Sequence, residues 1–510
     1  MFCELHGLAA THKRFHDAHV RSYFRKEQFS VAMEWFLKHI RELKIHRGED
    51  CLEMAEPCFS VGLIYEKMDK FEEAHSFMSK ALTLFEKGSK DCQRCELQIA
   101  KVLLALEKYE ESLAKFKSYL SQYHKDQSEE TADAADALQG MGQALQGLDK
   151  CEEARTFLKK ALRACMKLHG NSSLQVAQVL VDLGNIMAKT GSSEEVPFVV
   201  ALNPNLVSMI SRGLFRSQAI AVYDQSIAIF QKHPEDHDVD LLASTYVSLA
   251  VLLDEKDDFE ASLHSWKNAL KLYSELAGSG SDEVAEILFK IGRLYNHLQN
   301  YDRAASCFSE SVRIVRNNGD DDEMVANALC HIAKNHARKR QFARGLEMSM
   351  EALRLKKQFC SAPEIASCLV DCGDILDGWG KPDQALRFLD EALRIYREQE
   401  EESHVIEVAN CKQKLGGVYR QLGDSKTALD LLVGALAQHR QSQGDDTLEV
   451  ADDLFEIGQV YDSFGDRDKG LKCFEECLKI REEKLGSDHI NVMAVRKSIK
   501  KLTKTKMNES

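Results

Sequence analysis

Lys290, Arg293, His297, Asn327, His331, Lys334 and Arg338 bring cationic and hydrogen-bonding side chains together in a chain whose net charge is -14. Such a set suits carboxylates: Lys and Arg on adjacent helices can pair with an extended acidic peptide, and a guanidinium does so through two parallel N–H bonds. The competing reading is an ordinary solvated helix face. Asp371, Asp374 and Asp377 follow with the opposite sign, so the same surface would be polar along its length. Catalytic patterns are lacking: the sequence holds no Walker loop, no G-x-S-x-G and no H-E-x-x-H. His12, His16 and His19 stand at helical spacing, but three histidines alone make a poor metal set. Cys92-Gln93-Arg94-Cys95 is a lone C-x-x-C without a second pair at zinc-finger spacing. The expectation is a non-enzyme with no cofactor and no bound metal.

Bulk composition narrows the class further. The 510 residues are 44% apolar and 29% charged, with six prolines, which leaves room for long helices. The negative balance argues against nucleic acid or an anionic membrane as a partner, since both favour a basic face. No apolar run approaches about 18 residues, so no membrane insertion is expected, and the first residues lack the order of a signal peptide. Most of the fifteen cysteines, among them Cys58, Cys307, Cys330, Cys368, Cys372, Cys473 and Cys477, fall at helical core positions, where a free thiol packs as a small hydrophobe. Reduced thiols fit a cytoplasmic protein.

The elements that position these residues repeat about every 42 residues. A small residue recurs in one helix: Val20, Gly62, Ala100, Gly142, Gly184, Ala250, Gly292, Ala333, Gly373, Gly416 and Gly458. A second small residue recurs in the next helix, at Ala32, Ala74, Ser112, Ala154, Ala219, Ser262, Ala304, Gly345, Ala385, Ala428 and Gly470. Four places later comes a plug, usually bulky: Phe36, Met78, Phe116, Leu158, Tyr223, Trp266, Phe308, Ser349, Leu389, Leu432 and Phe474. Small residues let two backbones approach, and large ones fill the groove beside them. Eleven helix-turn-helix repeats follow, the first, third and eighth degenerate. Gly- and Asp-containing turns such as Leu485-Gly486-Ser487-Asp488-His489 supply the stops and caps.

This code resembles the tetratricopeptide repeat. The long form ending in Cys477-Leu-Lys-Ile-Arg-Glu-Glu-Lys-Leu-Gly-Ser-Asp-His489 is similar to the kinesin light chain type. The resemblance covers nearly the whole chain. It implies an all-α fold, a tetratricopeptide-repeat solenoid wound as a right-handed superhelix, with the first helices lining the concave surface. It also implies a scaffold or adaptor that binds extended peptides of partner proteins in that groove, with motor or cytoskeletal proteins among the candidates. A rival function is a regulatory module that senses a signalling peptide or restrains a partner enzyme. Light chains carry a long N-terminal heptad region. This sequence enters its first repeat within about 20 residues without sustained heptads, so a light-chain-like adaptor is expected.

The expected organisation is a repeat array over 12–488, interrupted at 196–218, and a C-terminal capping helix with a basic tail over 489–510. Between Gly184 and Ala250 the step is longer by about 24 residues. Removing Val196 to Gln218 rejoins the fifth repeat at Ala219-Ile-Ala-Val-Tyr223. That stretch is apolar and holds two of the six prolines; poor order is expected, because it breaks the repeat and has no partner face. It could be a loosely packed loop, a functional element folding over the groove, or a retained in-frame intron, since Val codons begin GT and CAG encodes Gln. In the tail, Arg496, Lys497, Lys500, Lys501, Lys504 and Lys506 could meet an acidic surface such as tubulin tails, or simply solvate the cap.

Overall fold

The computed structural model describes residues 29–48, 51–123, 131–190, 217–235, 238–319, 322–399 and 404–509. Among them lie twenty-two α-helices, one 3-10 turn at Leu52–Met54 and no strand. In chain order the helices are α1 (Phe29–Arg47), α2 (Ala55–Lys67), α3 (Phe71–Leu84), α4 (Lys90–Ala105), α5 (Tyr109–Tyr123), α6 (Ala132–Gly147), α7 (Cys151–His169), α8 (Leu174–Thr190), α9 (Ser217–Phe230), α10 (Val239–Asp254) and α11 (Phe259–Leu276). They continue as α12 (Asp282–His297), α13 (Tyr301–Asn318), α14 (Asp322–Arg338), α15 (Phe342–Phe359), α16 (Ala362–Gly378), α17 (Pro382–Glu398), α18 (Val405–Gln421), α19 (Ser425–Gln443), α20 (Leu448–Phe464), α21 (Arg467–Leu485) and α22 (Ile490–Glu509). The chain divides into two compact units, Met1–Ser265 and Trp266–Ser510, the cut falling within α11. The fold is the expected all-α tetratricopeptide-repeat solenoid.

Most hairpins close through the expected small-to-large contact. A Cβ added at Gly142, Gly373 or Gly416 would lie 2.5–2.7 Å from the Leu158, Leu389 or Leu432 side chain. At Gly292 and Gly458 it would meet the rings of Phe308 and Phe474 at 2.8 and 2.7 Å. Glycine is therefore required by close approach, because any larger residue must displace the plug. At Ala100 and Ala250, where alanine replaces glycine, a serine of the second helix reaches across: Ser112 Oγ donates to the Ala100 carbonyl at 2.8 Å and Ser262 Oγ to the Ala250 carbonyl at 2.9 Å.

The turn inside each hairpin has a feature that its sequence hides. Seven residues after the small position the backbone is left-handed, at Asp69, Glu107, Asp149, Asp257, Gln299 and Arg340, and at Gly380, Gly423 and Gly465. The following N–H then caps a carbonyl of the first helix, as Gln341 N does to His336 O at 2.8 Å and Asp424 N to Tyr419 O at 3.0 Å.

The fifth repeat closes despite its long interval. Tyr223 of α9 covers Gly184 of α8 and donates its hydroxyl to Asn185 Oδ1 at 2.6 Å. Residues 191–216 lie outside the described residues, and so does nearly all of the expected insertion over 196–218. Its last two positions, Ser217 and Gln218, open α9, and Gln218 is buried. Val20 and the three N-terminal histidines also lie outside the described residues. At the other end Val492, Val495 and Leu502 of α22 pack on repeat eleven. Arg496 pairs with Glu482 and Lys501 with Asp462, so two of the tail cations brace this helix.

Candidate functional site

Several first helices of successive repeats come close, as α4 does to α6 and α14 to α16 to α18 to α20; among the described residues no two successive second helices approach as closely. The first helices therefore form the inner layer, where polar side chains link one repeat to the next. Gln98 donates to Glu66 at 2.6 Å, Lys101 to Asp136 at 2.6 Å, and Gln139 and Gln143 to Asp182 at 2.7 and 2.9 Å. In the second unit Lys334 meets Asp371 at 2.9 Å, Lys414 meets Asp374 at 2.7 Å, Gln421 donates to Asp377 at 2.8 Å and Arg420 meets Glu456 at 3.1 Å. Three of these pairs, Gln143–Asp182, Lys334–Asp371 and Asp374–Lys414, share one register, from the residue after the small position of one repeat to the residue two before it in the next.

The candidate residues of repeats seven and eight take different places in this ladder. Lys334 is nearly half exposed yet tied to Asp371; burial pulls its ammonium down, but Asp371 outweighs that and leaves it above its ordinary value. Lys290 has its own-helix neighbour Glu286 at 3.9 Å. Arg338 lies exposed over the Tyr301 ring at 4.9 Å, and Asn327 is half-buried. His297 is exposed at the end of α12. His331 is half-buried, stacked on Phe308 with centroids 5.0 Å apart and edge-on to Phe289. Burial, then Lys334, Arg293 and Arg338, holds its imidazole down at about 4, so it is neutral at physiological pH. Arg293 is exposed and has no ion-pair partner among the described residues. The ladder position that should answer it is His331, which carries no negative charge.

The other candidates resolve as structure. Asp371, Asp374 and Asp377 do not present a free acidic stretch, because each is engaged by Lys334, Lys414 or Gln421 of a flanking repeat. Cys92 and Cys95 are both buried, and Cys95 donates to the Met78 carbonyl. Cys307 and Cys473, expected in the core, are only partly buried. Fourteen thiols are free among the described residues, which also hold no group of three or more His, Cys, Asp or Glu arranged for a metal. No described helix is long and apolar enough to cross a membrane.

Sequence reasoning missed one buried polar centre. His439 of α19 and Asp453 of α20 are fully buried, with His439 Nδ1 2.7 Å from Asp453 Oδ2 and His439 Nε2 3.1 Å from Asn410 Oδ1. Gln413 donates to the other Asp453 oxygen at 2.7 Å. Burial pushes the Asp453 carboxyl up, while His439 and Gln413 pull it back. The sequence signal was a pair of acidic residues set between apolar ones, Ala451-Asp452-Asp453-Leu454.

Comparison with known proteins agrees with this architecture. A family model described as Tetratricopeptide repeat matches residues 133–195, 241–317, 324–398 and 407–483, and a second of the same description matches 55–87. Protein KINESIN LIGHT CHAIN-RELATED 1 of Arabidopsis thaliana is 22% identical over 258 residues, covering 42% of this chain and 41% of the relative. Protein KINESIN LIGHT CHAIN-RELATED 3 of the same plant is 22% identical over 246 residues, covering 47% and 37%. The chain thus spans less than half the length of the curated relatives it matches. The crystal structure of the apo form of RapI covers 76% of this chain and 98% of its own at 10% identity, with a TM-score of 0.53, a likeness of fold alone. With the repeat model matching more than half of its length, this chain belongs to the tetratricopeptide repeat family.

Proposed function

We propose that this chain, a protein-interaction scaffold by its family, holds an extended acidic segment of a partner protein along the inner face of repeats seven and eight, with Arg293 as the anchoring cation. One observation carries the reading. At the next two steps of the ladder a cation meets a carboxylate, whereas Arg293 stands opposite the neutral His331 and keeps its guanidinium open. A carboxylate from outside would supply the missing charge through a bidentate pair. Lys290 and Arg338 flank it, the first held only by a long contact to Glu286 and the second by a ring. His297 and Asn327 add hydrogen-bonding groups to the same two helices. The names of the plant relatives favour motor or cytoskeletal proteins as the partners, with a cytoplasmic setting.

The test is anisotropy titration of the full chain with a fluorescein-labelled peptide carrying glutamate at alternate positions. Arg293→Glu should weaken binding at least tenfold, about 1.4 kcal/mol. Arg313→Glu should leave binding unchanged, because Arg313 lies on the second helix α13 and already pairs with Glu310. Equal affinity of the wild type and the Arg293 variant would dismiss the site. A pull-down with mass spectrometry then identifies the partner.

A further inference from the structure

Repeat eight departs from the packing code in a way that gathers sulfur. At its small position stands Ala333 rather than glycine, and at its plug position stands Ser349 rather than a large side chain. The hairpin closes instead through Gly345, whose Cβ would lie 3.0 Å from the Ala333 carbonyl oxygen. Ser349, at the plug position, contacts thiols of the next repeat. Ser349 Oγ is 3.1 Å from Cys372 Sγ, and Cys368 Sγ donates to the Ser349 carbonyl at 3.7 Å. On the other side Cys368 Sγ lies 3.8 Å from Cys330 Sγ. Cys330 is on α14 and Cys368 on α16, neighbouring first helices of the inner layer.

We propose that Cys330 and Cys368 are an oxidisable pair that closes into a disulfide joining repeats eight and nine. The sulfurs already touch, so forming a bond of about 2.05 Å needs an approach of less than about 2 Å, shared between rotations about two Cα–Cβ bonds. Cys330 is 9% exposed and Cys368 1%, which makes Cys330 the sulfur that a peroxide reaches first. Its thiolate attacks hydrogen peroxide, the O–O bond breaks, and hydroxide leaves as water after taking a proton, giving a sulfenic acid. Cys368 then attacks the sulfenic sulfur, the S–O bond breaks, and a second water leaves. In sum two thiols lose two protons and two electrons, and one peroxide becomes two waters. Cys372 is on the same helix as Cys368, one turn on, so a Cys368–Cys372 bond would not join the two repeats. The hydrogen bond to the Cys368 sulfur, then burial, holds the Cys330 thiol well above its ordinary value, so closure should be slow and favour sustained oxidant over a brief pulse. Because the bond ties α14 to α16 beside the Lys334–Asp371 pair, it would fix the spacing of the inner face there. The proposal does not depend on what that face binds.

The experiment exposes the full chain to hydrogen peroxide, alkylates remaining thiols under denaturing, non-reducing conditions, and maps the peptides by mass spectrometry. The expected result is loss of alkylation at Cys330 and Cys368 together, with a linked peptide pair that dithiothreitol separates. Cys330→Ala and Cys368→Ala should each abolish the linked pair, while Cys372→Ala should retain it. The oxidised protein should melt a few degrees higher than the reduced form, a shift reversed by dithiothreitol. Alkylation of both cysteines after exposure that oxidises the partly exposed Cys151 would overturn the proposal, as would pairing of either with a third thiol. The wild-type map decides the matter even if an alanine variant fails to fold.

Discussion

Repeats seven and eight and repeats nine to eleven share one hairpin design but finish it differently. In the later group glycine sits at the small position, a leucine or phenylalanine plugs it, and glycine takes the left-handed turn residue at 380, 423 and 465. Their inner charges are matched across each step, and His439 and Asp453 cross-brace repeats ten and eleven. In the earlier group Gln299 and Arg340 bear the left-handed backbone, Ala333 and Ser349 replace the glycine and the large plug of the eighth hairpin, and Arg293 stays unmatched. Asn335 adds to this: it is 1% exposed at a position that Ile64, Val102, Ile186, Ile375, Val418 and Val460 hold elsewhere, and its amide finds no partner among the described residues. The lesson is that one region spends its side chains on holding itself, and the other leaves groups open to a ligand or to chemistry.

The largest effect should come from cutting the brace. Asp453→Ala leaves His439 facing an emptied, fully buried site and should cost about 3–5 kcal/mol, read as a lower urea midpoint and lost amide protection in α19 and α20. Next comes the small position. Gly416→Ala forces a Cβ against Leu432 and should cost about 1–3 kcal/mol, while Ala333→Gly in the eighth hairpin, whose plug position is Ser349, should cost only about 0.5–1 kcal/mol of helix propensity. Equal costs in urea titrations would erase the contrast. The turn residue sharpens it: Arg340→Gly relieves left-handed strain of about 1–2 kcal/mol less the entropy of glycine, a net gain of about 0.5–1 kcal/mol. Gly423→Ala should lose a similar amount.

A separate contrast is the acid response of repeat eight. The His331 value of about 4 lies below its ordinary 6.5. An imidazole depressed on folding gives stability that is full above pH 6.5 and is lost as pH falls toward 4. His331→Phe, which keeps a ring for Phe308, should flatten that part of the stability profile measured by thermal melts. An unchanged slope would mean that other groups set it.

Much of the hairpin was legible because it is written locally. Gly62, Gly142, Gly292 and Gly416 return in step with Met78, Leu158, Phe308 and Leu432, and a close backbone crossing needs that pairing wherever it occurs. The turn was less legible: Asp69, Glu107 and Arg340 carry left-handed backbone with no residue type in common, since the Schellman closure around them tolerates the strain. The candidate cations were found by position, but their partners were not. Lys334 and Arg293 occupy the same place in successive repeats, and nothing in the chain around Arg293 says that its answer across the step is a histidine.

What the sequence determined by itself was the hairpin, its period and its family, because short-range helix geometry and the fit of a small residue to a large one repeat within each segment of chain. What only the tertiary structure decided was which polar groups are satisfied and which sulfurs touch. Lys334 and Asp371, His439 and Asp453, and Cys330 and Cys368 come from separate helices, and hydrogen bonds and thiol contacts fall off within a few ångströms, so their pairing exists only once those helices are stacked.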